Sequence, residues 1–201
     1  MELIIIYIII VLMSVVIHEV AHGYAADVQG DPTAKYEGRL TLNPLKHLDP
    51  IGSVLVPIVT SIAGFPFGWA KPVPYNPYNL RNQRWGELFV ALAGPLSNIL
   101  IALFFVVFIR LEIGNIVFMS LAQQIIIVNL GLALFNMIPI PPLDGSKVLF
   151  AFLPFKWMHI RRQLEQYSMI LILILILVPT FGNILGSAIL YLTQVLTGLN
   201  L

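Results

Sequence analysis

Residues 3–22 read LIIIYIIIVLMSVVIHEVAH. The first fifteen positions are apolar apart from Tyr7 and Ser14, and the run passes without a break into His18-Glu19-Val20-Ala21-His22. Side chains at i and i+4 stack on one face of an α-helix, so His18 and His22 can offer two imidazoles to one metal ion. Glu19, beside the first of them, stands where a general base toward water would stand in an H-E-x-x-H set. With only 4 histidines in 201 residues, chance would supply about 0.002 such sets, taking the product of residue frequencies along the chain. The apolar run before it has the character of a membrane helix, so any hydrolytic centre here would work where water is scarce.

The composition supports that solvent. Hydrophobic residues make up 58% of the chain and charged ones 10%, with a mean hydropathy of +0.89. A soluble domain carries about 25% charged residues, so this chain lacks the polar surface to coat a globule and reads as a polytopic membrane protein. There are no cysteines, which removes disulfides and thiolate metal sites. A net charge of +1 with no basic tract gives no reason to expect nucleic acid as a partner. Glu2 occupies the place of a basic n-region and no small-residue cleavage site follows, so the first helix is expected to be retained rather than removed as a signal peptide.

Helix one runs to about Val28, where Gly30-Asp31-Pro32 stops it. In the polar stretch 31–50, Tyr36, Gly38, Leu40 and Leu42 alternate with Glu37, Arg39 and Thr41, a period of two that predicts a short strand. Such a strand could hold an extended substrate by β-addition. Residues 51–64 are apolar but short of the ~20 needed to span, and read as a re-entrant or partial segment. Trp85–Ile109 and Ile116–Met137 are clear spans, the second stopped by Pro139, Pro141 and Pro142. Residues 143–166 read as a basic loop. Residues 167–196 form one kinked span or two short helices around Pro179 and Gly182. The expected fold is an all-α polytopic bundle of about five to six transmembrane or re-entrant segments, with a small β-strand element near the site. It forms a single domain over 1–201, with core motifs in 14–150 and a C-terminal helix or helix pair in 167–196.

If 51–64 dips in and returns, the loops 31–50, 65–84 and 143–166 share one face and hold ten of the 11 basic residues, leaving Arg110 on the other. By the positive-inside rule the ten-charge face is cytoplasmic, which predicts a multi-pass protein of the cell membrane with its site toward the cytoplasm. The HEVAH end of helix one and the end of span 116–137 then meet at that side.

A catalytic metal site needs a third protein ligand. His47 and His159 lie in loops without ligand spacing. Asp144 is better placed: prolines unwind the chain before it and Gly145 permits close backbone approach. Two histidines and a carboxylate suit Zn²⁺ in charge and hardness. Asp144 could instead cap the helix that follows it.

HEVAH on the first helix, followed by Asn136-x-x-Pro139-x-Pro141-x-x-Asp144-Gly145, resembles the site-2 protease family of intramembrane zinc metalloproteases. Ala93-Gly94-Pro95-x-x-Asn98, Asn43-Pro44 and Lys71-Pro72-Val73-Pro74 support the match, in the same order and over most of residues 14–150. In the usual P-x-P-x-L-D-G run the second open position here holds an extra proline, Pro142, which does not disturb Asp144. No PDZ or CBS module is recognisable, so the chain looks like a minimal catalytic core. The resemblance implies one Zn²⁺ per chain held by His18, His22 and Asp144, with Glu19 as base. It implies Asn98 and Asn136 as polar groups that hold substrate or the developing oxyanion, and a membrane-protein substrate with a transmembrane helix as partner.

Two other functions fit intramembrane His, Glu and Asp residues: a metal-ion transporter or channel, and an inactive scaffold that binds helices. A transporter would be expected to show repeat symmetry with ionisable groups at mid-bilayer. No repeat is visible, and the ionisable cluster lies near one face. Asn98 and Asn136 could equally be interhelical hydrogen-bond glue.

Overall fold

The computed structural model describes residues 2–56, 68, 70–154 and 157–199. Helix α1 (Glu2–Val28) is built by the unbroken apolar run. It ends where Gly30 takes a φ of 103° and the Asp31 N–H reaches back to the Ala26 carbonyl at 2.9 Å, a left-handed stop that favours glycine. A single turn, α2 (Thr33–Tyr36), follows; beyond it the described residues include short helical turns at Pro44–Lys46, Pro50–Leu55 and Pro77–Asn79, and then the long helices α3 (Gln83–Arg110) and α4 (Ile116–Asn136). Asparagine starts both: Asn82 accepts from the Trp85 N–H and Asn115 from the Phe118 N–H, each satisfying an otherwise orphan amide. The prolines at 139, 141 and 142 end α4 as expected.

Four shorter or bent helices follow: α5 (Asp144–Phe152), α6 (Met158–Gln166), α7 (Ser168–Leu177) and α8 (Pro179–Thr197). Helices α1, α3 and α4 are long and apolar enough to cross a membrane. Helices α7 and α8 meet at 79° around Pro179 and add a fourth crossing if the pair is one broken span. The architecture is that of a multi-pass membrane protein.

Three expectations need correction. Among the described residues there is no β-strand. Residues 36–42, read as a strand from their alternation, are the end of α2 followed by a turn in which Gly38 has a φ of 63° and Arg39, not its apolar neighbours, is buried. Arg39 donates to the carbonyls of Lys71 and Pro72 at 2.9 and 3.3 Å. The alternation therefore records a loop folded over a guanidinium, and substrate addition to this segment falls with the strand. Against the expected five to six segments, the described residues hold three helices of spanning length, or four with the bent pair. Residues 143–166 hold two helices rather than a loop. The re-entrant reading of 51–64 lies largely outside the described residues, where only the π-helical turn Pro50–Leu55 and Val56 are seen.

The apolar core lies at the α3–α4–α8 contact. Ala102, Val106 and Ile109 pack against Ala122, Ile126 and Leu130, with Ile189, Leu192 and Leu196 closing one side. Arg110 finishes this corner by donating to the Leu196 and Val195 carbonyls at the C-terminus of α8, where a cation also suits the helix dipole. At the opposite end, buried Asp31 accepts from Thr33, from the Asn76 N–H at 2.6 Å and from the Asn79 amide at 2.8 Å. Burial opposes its charge, but these donors outweigh that cost and hold its pKa below the usual carboxylate range. Asp31 and Arg39 thus pin both ends of the loop 71–79 against α1, and that loop covers the side of α1 carrying Glu19.

Candidate metal centre

His18 and His22 lie one turn apart on α1, and α5 brings Asp144 up to both. The His18 Nε2 and His22 Nε2 atoms are 3.1 Å apart. The Asp144 Oδ2 atom is 3.2 Å from the first and 3.1 Å from the second. All three residues are buried, and among the described residues they form the cluster of His, Asp and Glu side chains able to hold a metal. Three corners of a tetrahedron with metal–ligand bonds of about 2.0–2.1 Å would be about 3.3 Å apart, so the triangle has the size a zinc ion needs.

Proton accounting points the same way. The His18 Nδ1 faces Asn98 Oδ1 at 2.6 Å, and the His22 Nδ1 faces the Val90 carbonyl at 2.7 Å. Both partners can only accept, so both rings must carry the proton on Nδ1. In neutral histidines the two Nε2 atoms are then bare and converge with a carboxylate oxygen. Three lone pairs aimed at one point repel unless a cation lies between them, which is the donor set of a metal site oriented from behind.

The backbone makes room for this. An added Cβ on Gly94 of α3 would lie 2.5 Å from the His18 Nε2 and in contact with the His22 Nε2. Gly94 is therefore the wall of the metal cradle, and Gly94→Ala is expected to weaken zinc binding by at least about 100-fold, beyond the usual effect of disturbing a ligand's surroundings. Chelator competition on folded protein checks it, and an unchanged dissociation constant would refute the placement. Gly145 has an equally tight role. Its Cα packs against the Met137 backbone so closely that a Cβ would overlap the Met137 carbonyl, fixing the start of α5 against the end of α4. Asp144 is the first residue of α5, and Leu143 holds the N-cap position without a side-chain bond. The carboxylate thus meets histidines instead of capping its own helix.

Glu19 sits beside the triangle, half-buried, with Oε2 accepting from the Val73 N–H at 2.9 Å. Pro72 and Pro74 flank Val73 and have no N–H, so Val73 is the one backbone donor that Pro72-Val73-Pro74 can offer. Among the described residues Oε1 has no hydrogen-bond partner. On the outer side, Lys147 lies 3.5 Å from Asp144 Oδ1 and 5.4 Å over the Tyr75 ring. Burial works against its charge, yet Tyr75, Asp144 and Glu19 hold its pKa above the ordinary lysine value.

The other sequence candidates are placed as follows. Asn98 is fully buried behind His18. Asn136 ends α4 with its amide donating to the Leu132 carbonyl at 3.0 Å, and it is not one of the three converging groups. His47 is buried away from the centre, with Nε2 on the Thr41 carbonyl. Sequence reasoning missed Asn129, which is fully buried on α4 and bonded to Asn98. A primary amide within the apolar run 125–135 was the available signal, because such a group is costly in hydrocarbon unless it has partners.

Comparison with known proteins agrees with this geometry. A family model described as peptidase family M50 matches residues 112–179, the part holding Asn129, Asn136 and Asp144. YwhC of Bacillus subtilis (strain 168), provisionally named a zinc metalloprotease, is 37% identical over 193 residues, covering 92% of this chain and 83% of YwhC. Rip2 of Mycolicibacterium smegmatis, named in the same provisional way, is 27% identical over 174 residues. MJ0392 of Methanocaldococcus jannaschii, named a zinc metalloprotease, is 29% identical over 153 residues. The chain spans 66% of the length of Rip2 and 36% of that of MJ0392. No solved structure matches. The 37% identity to YwhC across most of both chains, the family match over residues 112–179 and a buried His-His-Asp cluster able to hold a metal make this chain a member of peptidase family M50.

Proposed function

We propose that the chain is a zinc-dependent intramembrane endopeptidase that cuts a peptide bond within or beside a transmembrane helix of a membrane-protein substrate. The observation that carries this reading is the convergence of His18, His22 and Asp144 at 3.1–3.2 Å on the last turns of a membrane helix, with Glu19 alongside. His18, His22 and Asp144 would hold one zinc ion, leaving a fourth position open. When bound, zinc brings the pKa of water to about 7 and polarises the scissile carbonyl.

The remaining work falls to the chain's own residues. Glu19 Oε1 takes the proton of the attacking water and returns it to the leaving amine. The Val73 N–H steadies the other carboxylate oxygen, so the base keeps one orientation. Asn98 acts from behind His18 rather than on substrate, since its contacts are all internal. Asn136, half-buried where α4 ends, is the candidate amide on the substrate side. A substrate helix must unwind locally, because its amides are otherwise tied in i to i−4 bonds. With 51–64 returning to the side it left, the ten-to-one distribution of basic residues favours a site facing the cytoplasm.

Metal removal tests the reading. Protein purified in detergent should contain one zinc per chain, and dialysis against a strong chelator should stop cleavage of a single-pass substrate, with zinc restoring it. Undiminished cleavage by the metal-free protein would overturn the proposal. A transporter would instead move zinc across proteoliposomes and leave the substrate intact.

A further inference from the structure

We infer that Asn129 is a positioning residue for the metal centre. Together with the Ser14 carbonyl, it sets the direction of a hydrogen-bond chain ending at His18, and so biases which ring nitrogen of His18 carries the proton. The inference rests on the zinc reading above but not on the identity of the substrate.

Asn129 and Asn98 are both fully buried, on α4 and α3. The two ends of a primary amide have nearly the same size and shape, so packing cannot set which way each points; the hydrogen bonds must. The chain begins on backbone. The Asn129 Nδ2 lies 2.9 Å from the Ile125 carbonyl, which can only accept, and 3.0 Å from Ser14 Oγ on α1. The amino end of Asn129 is thereby committed, and its Oδ1 must face Asn98, where it accepts from Nδ2 at 2.8 Å. The same Asn98 Nδ2 also reaches the Ser14 carbonyl at 3.3 Å. Asn98 Oδ1 is left to meet His18 Nδ1 at 2.6 Å and can only accept there. His18 therefore carries its proton on Nδ1, which leaves Nε2 bare toward Asp144 and His22.

His22 reaches the same tautomer more simply, from the Val90 carbonyl. The two ligands thus match, one set by backbone directly and one through two side-chain amides. Reversing Asn98 would place an N–H against His18 Nδ1, move the proton to Nε2 and block the ligand atom. Asn129 is the nearer of two groups that oppose that reversal: a reversed Asn98 would set its oxygen against Asn129 Oδ1 at 2.8 Å and against the Ser14 carbonyl at 3.3 Å.

The test compares Asn129→Thr with Asn129→Val, which share a shape. A threonine hydroxyl can donate to the Ile125 carbonyl and accept from Asn98, so it can rebuild the relay; valine cannot. Zinc affinity is read by chelator competition. The His18 tautomer is read by ¹⁵N-histidine NMR of metal-free protein, with signals assigned through single histidine variants. Valine is expected to weaken zinc binding by about 10-fold or more, in the range seen when a ligand's orienting partner is lost. It should also give His18 a population with the proton on Nε2, while His22 is unchanged. Threonine should keep both readouts near wild type. Should the valine variant fail to fold, Asn129→Leu breaks the same link with a side chain branched at Cγ, as asparagine is. Equal behaviour of threonine and valine, or an unaltered His18 tautomer with the relay broken, would overturn the inference and leave Asn129 as packing. If the wild type took up no zinc, the zinc reading would fail, and the tautomer comparison would still decide the role of Asn129.

Discussion

Glu19→Gln should leave zinc content and affinity at wild-type levels while cleavage of a single-pass substrate falls by about 10³-fold, within the range that loss of a general base produces. The structure explains why the two readouts separate. Glu19 is not one of the three converging groups, and its recorded bond is with the Val73 N–H. Glutamine is the same size and its carbonyl oxygen can still accept from Val73, so the loop 71–79 should stay in place. What disappears is the ability to take a proton. Zinc titration and a timed cleavage assay on the same preparation check this. Cleavage at the wild-type rate would remove Glu19 from the mechanism and, with it, the hydrolytic reading of the HEVAH segment. A helix-binding scaffold makes the opposite forecast, in which substrate association is retained and neither protein cleaves.

The parts legible in the sequence were those written in local patterns. Spacing i to i+4 stacks His18 on His22 whatever surrounds them. A run of prolines must stop α4 because each lacks the N–H the helix needs, and that break is what frees Asp144 to turn toward α1. The strand expected over 36–42 fails because period two is a statement about facing a sheet, and no neighbouring strand is present among the described residues. Instead Tyr36 and Leu42 are exposed while Arg39 is buried on the carbonyls of a loop more than thirty residues away.

Helix α6 was illegible, and α5 was marked only by Asp144 as a possible cap, for a related reason. At nine residues each they are too short to stand on propensity, and tertiary contacts hold them. Arg84 of α3 donates to the Ala151 carbonyl near the end of α5, and Arg161 of α6 pairs with Glu87 of α3 at 2.5 Å. The wall of the cradle was only half visible. Gly94 stood in the Ala93-Gly94-Pro95-x-x-Asn98 motif, but nothing local said that what it packs against is two ligand nitrogens. Such facts depend on which helix faces get paired, and a single chain's pattern does not carry that information.

Asp144→Ala is expected to reduce zinc affinity by more than about 10³-fold, so that the purified protein carries almost no metal. The two imidazoles would remain, but catalytic zinc sites rest on three protein ligands, and the alanine removes the one ligand that brings negative charge. The loss should come from the missing oxygen rather than from a misplaced helix. The start of α5 is fixed by Gly145 against the Met137 backbone, and the α3–α4–α8 core lies on other residues. Lys147 would add to the effect, since without Asp144 Oδ1 at 3.5 Å its charge beside the ligands loses its ion-pair partner. Asp144→Asn separates these contributions: it keeps an oxygen at nearly the same place but not the charge, and should fall between alanine and wild type. Zinc content by elemental analysis and affinity by chelator competition check the series, with circular dichroism to confirm the helices. An alanine variant that still held zinc within about 10-fold of wild type would mean that the two histidines find their third ligand elsewhere, and that α5 approaches α1 for some purpose other than metal binding.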